Sequence, residues 1–196
     1  MKIEELKSAK FRNPKVISIP DMKLWETNMM EFGKEILREN VDYGNLTGIK
    51  KPVLFKPGAE KLMKAFNLQI ETLECINEIF DREKPYIDVT YRCIIKSDRN
   101  QRLGICEGSA NSEETIFKYK YRKTNLRPDK NQSIKLKNEG KGKWIKFDDK
   151  WVWCEKVLND DILAKKNIIK KVAQKRAFVG AVIMATSTSE FFSNIK

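Results

Sequence analysis

"YIDVTYRCIIKSDRNQRLGICEGSA", residues 86–110, decides the fold of this chain. In its first half Ile87, Val89, Tyr91, Cys93 and Ile95 alternate with Asp88, Thr90, Arg92 and Lys96, the period of two expected of a strand with one buried face. "SDRNQ" supplies turn residues, and "RLGICEGSA" returns as the antiparallel partner. Matching Ile95 to Leu103 and Cys93 to Ile105 keeps the apolar faces together. That register puts Cys106 on the face opposite Cys93, so no disulfide is expected across the hairpin. Upstream, "LQIETLECINEIF" (68–80) reads as a third strand whose alternation slips near Thr72, the mark of a bulge.

Downstream, "SIKLKNEGKGKWIKFDDKWVW" (133–153) alternates apolar residues with lysine across a Gly-rich turn and a "DDK" turn, which predicts short extra strands or a hairpin. From "NDDI" (159–162), an N-cap with acids in the first turn, a long helix runs to about Ala185. Its Ile169, Val172, Ala173, Ala177, Gly180 and Met184 share a face, and the small residues there permit close approach of a sheet. Toward the N-terminus, "MKLWETNMMEFGKEILREN" (22–40) has the spacing of an amphipathic helix. A turn-rich loop and a short helix over about 58–66 follow, and the first nineteen residues read as an arm. The expectation is an α+β protein: an antiparallel β-sheet (a β-β-β-α core) packed on a long C-terminal helix, with an N-terminal helix. It forms one domain, 20–196, behind an arm, 1–19, with a basic, Trp-containing insertion over 123–159.

The formal net charge is +12, and the stretch from Thr115 to Lys171 holds seventeen Lys or Arg against seven Asp or Glu. A solvated lysine-rich surface accounts for any single one of these lysines as well as phosphate contact does. Their clustering points to a polyanion, whose condensed counterions each contact would release. The chain has no histidine, and Cys75, Cys93, Cys106 and Cys154 form no C-x-x-C pair, so no metal site or cofactor is expected. The N-terminus lacks an apolar signal core and no apolar run has membrane-spanning length. A reducing cytoplasm with free thiols, and no membrane partner, are the expectations.

The order of the strand hairpin "VTYRCIIKSDRN" and "GICEGSA", followed late by "AQKRAFVGAVIMATSTSEFF", resembles the core of the Rad-fifty-two-type single-strand annealing superfamily, closest to its phage Sak-type branch. "YGNLTGIKKPVLFKPGAEKLMKAFNL" is similar to the segment that precedes the sheet in those phage proteins. The similar pieces cover about residues 43–110 and 165–192. The resemblance implies a non-enzymatic, ATP-independent recombinase of DNA recombination and repair, phage-encoded and acting in the bacterial cytoplasm. It would form a homo-oligomeric ring or helical filament that holds single-stranded DNA in a basic groove with its bases exposed for annealing. The Lys-Arg pair of the "KRA" motif lines that groove in relatives and matches Lys175 and Arg176, with Lys171 one turn earlier. Basic residues of the sheet hairpin serve the same groove, which nominates Arg92, Lys96, Arg99 and Arg102. Some annealing proteins recruit a host single-strand binding protein through an acidic tail. Nothing like that tail follows "SEFFSNIK", so that partner stays open, as does the role of 123–159.

Arg176 sits beside the apolar stripe of its helix and needs a carboxylate, a carbonyl or a phosphate; internal pairing and groove contact stand even. "IFKYKYRK" interleaves Phe117, Tyr119 and Tyr121 with Lys118, Lys120 and Arg122. As a strand it would put the aromatics on one face, for stacking or for the core, and the cations on the other as groove candidates. "YGNLTG" and "NEGKGKW" do not match a phosphate-binding G-x-x-x-x-G-K-[ST] loop. A metal-dependent nuclease using Asp148, Lys150 and either Asp88 or Glu107 is the enzymatic alternative, although turn chemistry explains "DDK" better. A general nucleic-acid-binding phage accessory protein is the other.

Overall fold

The computed structural model describes residues 18–46, 49 and 51–191. Helix α1 (Ile19–Ile36) starts at Ser18, whose Oγ accepts from the Asp21 amide. A short ladder of β1 (Tyr43–Gly44) and β2 (Val53–Leu54) leads into α2 (Lys56–Ala65), which opens with Pro57 in its first turn. Strands β3 (Leu68–Asp81), β4 (Tyr86–Ser97) and β5 (Arg102–Asn111) form an antiparallel sheet in that order. After a single helical turn, α3 (Thr115–Lys118), comes β6 (Tyr119–Lys123). Next are α4 (Lys130–Asn138), β7 (Gly142–Phe147) and β8 (Lys150–Leu158), and the three strands make a second antiparallel sheet ordered β6-β8-β7. The long helix α5 (Lys166–Thr186) returns to pack on the first sheet. The α+β class and the β-β-β-α core are as the sequence pattern predicts. The proposed arm lies almost wholly outside the described residues.

Strand β4 is the middle of its sheet, and its Ile87, Val89, Tyr91, Cys93 and Ile95 are buried. Opposite them, Ile169, Ala173, Ala177 and Ala181 recur every four residues along α5, flanked by Phe178 and Val182, and all are buried. Full burial of one such Ile or Val contributes roughly 1.5–3 kcal/mol. Met184 is 57% exposed, so it lies off the stripe expected to carry it.

The register of the β4–β5 hairpin corrects the sequence reading. Ile95 faces Gly104 and Cys93 faces Cys106 directly, because a bulge between Ile95 and Lys96 leaves Leu103 without a partner. Gly104, Cys106, Gly108 and Ala110 therefore turn toward α5, whereas Leu103 and Ile105 point outward and are exposed. The choice of small residues follows from distance. A Cβ on Gly108 would collide with the Ala177 amide and come within 2.8 Å of the Ala173 carbonyl, and one on Gly104 would strike the Ala181 carbonyl. Cys93 and Cys106 are both free thiols on this face, and burial pushes the Cys93 thiol up to about 11. In β3 the phase slips between Ile70 and Thr72, where the bulge was expected, and again between Cys75 and Asn77.

Three further expectations change. Residues 130–138 are helical rather than extended: Asp129 and Gln132 form a reciprocal capping box that starts α4 on a segment whose Ile134 and Leu136 alternate with lysine. Phe117 is buried in α3, off the strand that carries Tyr119 and Tyr121. Helix α5 begins at Lys166 without a side-chain cap, after a 3-10 turn over Leu163–Lys165; Asn159 lies upstream of that turn, where its side chain accepts from the Asp161 amide at 3.3 Å and donates to the Phe117 carbonyl at 3.0 Å.

Candidate nucleic-acid interface

Between α2, β3 and α5 lies an open groove of about 1030 Å³. Its floor is apolar, with Met63 from α2, Leu68, Ile70 and Leu73 from β3, and Ile168, Val172 and Phe178 from α5. Its rims are basic. Lys171 and Lys175, four residues apart on one face of α5, stand on one side, and Lys56 and Lys64 of α2 on the other. Lys56 meets Glu60 at 3.3 Å. The ammonium groups of Lys64, Lys171 and Lys175 have no hydrogen bond or ion pair among the described residues.

Asp42 fixes the α2 rim. Its fully buried carboxylate accepts from the Arg38 amide at 2.8 Å and from Lys61 Nζ at 2.6 Å, tying α2 to the end of α1. Burial alone would push this carboxyl up, but the Lys61 and Arg38 contacts outweigh it and hold it below its usual value.

The residues nominated by sequence divide between several surfaces. Lys171 and Lys175 line the groove. Arg99 is exposed in the β4–β5 turn, beside Asp98, which accepts from the groove residue Asn67 at 3.4 Å. Arg176, one residue beyond Lys175, turns away: it donates to both carboxylate oxygens of Glu114, at 2.6 and 2.7 Å, and to the Ser109 carbonyl at 2.6 Å. This guanidinium holds the Glu114 carboxyl below the usual carboxylate range. Arg92, Lys96 and Arg102 project from the sheet face opposite α5. There Arg92 pairs with Glu107 at 2.7 Å, Arg102 clasps Glu71 at 2.6 Å, and Lys96 donates to Asn100 at 2.8 Å. The Arg102 guanidinium holds the Glu71 carboxyl down.

Lys118 pairs with Glu113 and Lys120 with Asp160. Arg122 shares the face of Lys120, with Glu155 opposite it on β8. Tyr121 occupies the other face of that sheet, where lysines from other strands lie over the aromatic rings: Lys143 over Tyr121 at 4.2 Å, Lys156 over Tyr119 at 4.2 Å and Lys123 over Phe147 at 3.7 Å.

Sequence reasoning missed Lys56 and Lys64, which become groove residues only because α2 packs against α5. It also missed Lys123, Lys143 and Lys156. Their signal was the interleaving of lysine with Trp, Tyr and Phe on strands whose pairing had to be known first.

Among the described residues, no group of three or more His, Cys, Asp or Glu is arranged to hold a metal ion. Asp148 and Asp149 form the β7–β8 turn, with Asp148 in the left-handed region at φ 50°, and Asp88 lies on the other sheet, accepting from the Tyr86 hydroxyl at 3.1 Å. No described helix is long and apolar enough to cross a membrane. No family model, curated protein or solved structure matches this chain.

Proposed function

We propose that this protein binds single-stranded DNA and anneals complementary strands without ATP, as a self-associating recombinase of the Rad-fifty-two-type superfamily and its phage Sak-type branch. The observation that carries the reading is the groove between α2, β3 and α5, where Lys64 on one rim and Lys171 and Lys175 on the other lack carboxylate partners among the described residues. Lysine is a compact charge on a flexible stem, suited to following a phosphate backbone without reading its sequence. An apolar floor between two basic rims admits one strand and gives a rigid duplex no base edge to read. In this reading Lys64, Lys171 and Lys175 hold phosphates, base pairing itself supplies the driving force, and no residue acts as a catalyst. Arg176 supports the site by tying α5 to Glu114 beside β5, so its role is to place Lys175.

Self-association has its own support. Strand β3 is an open edge, paired on one side only, and Ile70, Leu73, Ile76 and Ile79 are each exposed by more than a third. A long edge strand with exposed apolar side chains is a template for another copy of the chain. The working environment is the cytoplasm of a bacterial host.

Fluorescence anisotropy with labelled single-stranded and duplex DNA across a salt series, with light scattering on the same samples, tests the proposal. A large oligomer with a salt-sensitive preference for the single strand, active in an annealing assay, is the expected result. A monomer without DNA affinity at low salt overturns it.

A further inference from the structure

We propose that the face of the β6-β8-β7 sheet bearing Tyr119, Tyr121 and Phe147 is a stacking surface for a single nucleic-acid strand, separate from the groove between α2 and α5. The inference rests on the reading of the chain as a nucleic-acid-binding protein.

The strand register defines the face. Tyr119 lies opposite Leu158, Tyr121 opposite Lys156, Cys154 between Lys123 and Lys143, and Phe147 opposite Lys150. Residues directly opposite share a side of the sheet, so these side chains and those of Ile145 and Val152 stand together. That side carries four lysines and three aromatic rings from the strands, and no carboxylate. Elsewhere in the molecule the acids are distributed differently: Arg92, Arg102 and Arg176 each close on a glutamate, and Lys120 closes on Asp160. Here the ammonium groups of Lys123, Lys143 and Lys156 lie over aromatic rings instead. Lys143 reaches from β7 to the ring on β6, and Lys123 from β6 to the ring on β7, so the outer strands meet above the middle one. Cys154, on the middle strand between them, is fully buried. Tyr121 is 42% and Leu158 64% exposed, so the face is open to an incoming group.

A cation over an exposed ring is held more loosely than a guanidinium clasped by a carboxylate. An unpaired base can take the place of the ammonium over the ring, and the released lysine then reaches a flanking phosphate. Each ring-lysine couple thus offers both a stacking platform and a backbone contact, the pairing that suits sequence-tolerant single-strand binding. A duplex satisfies only the phosphate half, because its bases are already stacked on each other.

The test uses the full chain and a fluorescein-labelled oligo(dT) in anisotropy. A 4-thiothymidine version of the same oligonucleotide is used for photo-crosslinking with peptide mapping. Tyr121→Ala is expected to weaken binding about tenfold, Tyr121→Phe to retain it, and Lys143→Glu to weaken it as well, with crosslinks on the β6 or β7 peptides. Unlabelled duplex should compete poorly for this part of the affinity. If both Tyr121→Ala and Lys143→Glu bind as the native chain does and crosslinks fall only on α2 and α5, the surface is not a binding site and the groove reading stands alone. Equal competition by duplex also overturns it, since phosphate contact would then suffice. A native chain without affinity for oligo(dT) removes both readings together. Thermal melting accompanies each variant; should Tyr121→Ala not fold, exposed Lys143→Glu decides the matter.

Discussion

Replacing Lys171 and Lys175 together with alanine removes two of the three lysines that line the groove without an ion pair among the described residues. Both side chains project from α5 away from its buried stripe, so folding should be unaffected and the loss should fall on DNA binding. For a single strand, each phosphate contact contributes about 0.7 to the slope of log affinity against log salt. The double variant should therefore lose about 1.4 from that slope. Between about 50 and 200 mM salt, a fourfold change, the affinity ratio of native to variant should narrow about sevenfold. Anisotropy titrations of both proteins against one labelled oligonucleotide at four salt concentrations measure this directly. A folded double variant whose slope and affinity match the native protein's would refute the assignment of these lysines to phosphate.

Other outcomes follow from the packing and charge pairs. Gly108→Ala should lower stability by about 1–3 kcal/mol or more, read as a shifted urea midpoint, because the clashing atoms are backbone of α5 and cannot swing aside; a midpoint unchanged would mean that helix and sheet are further apart than described. Glu114→Gln should flatten the acid limb of the stability curve. The folded carboxyl is depressed by Arg176, so its contribution is present above the unfolded value, about 4.5, and is lost as pH falls through the lower folded value. Equal acid sensitivity in native and Gln proteins would contradict the pairing. Ile79→Glu, on the exposed side of β3, should reduce the mass seen by light scattering without shifting the melting temperature; an unchanged mass would place self-association on another surface.

The middle strand was the most legible part of the chain because one face is buried and the other is not, which writes the pleat directly into residue type. Its partner was less so. Leucine and isoleucine on β5 suggested the inner face, yet the helix approaches so closely that only glycine, cysteine and alanine fit there. A single unpaired residue, Leu103, reversed the strand's phase without any local sign of it. Helix α4 was hidden by the alternation of Ile134 and Leu136 with lysine, and only its capping pair, Asp129 and Gln132, argued for the observed state. For the site, the four-residue spacing of Lys171 and Lys175 was visible in the sequence of one helix. Lys64 was not, since its membership depends on how α2 lies against α5. The same holds for Lys143 and Lys156, whose rings belong to another strand.

The second sheet leaves and rejoins the core at one point: Tyr119 pairs with Leu158, and the Asn159 amide donates to the Lys118 carbonyl at 2.9 Å. Residues 119–158 are therefore a cassette with adjacent ends, and a two- or three-residue turn from Lys118 to Asn159 would close the gap. The same adjacency describes how such a segment is gained in evolution, since an insertion whose termini meet demands no change in the fold that receives it.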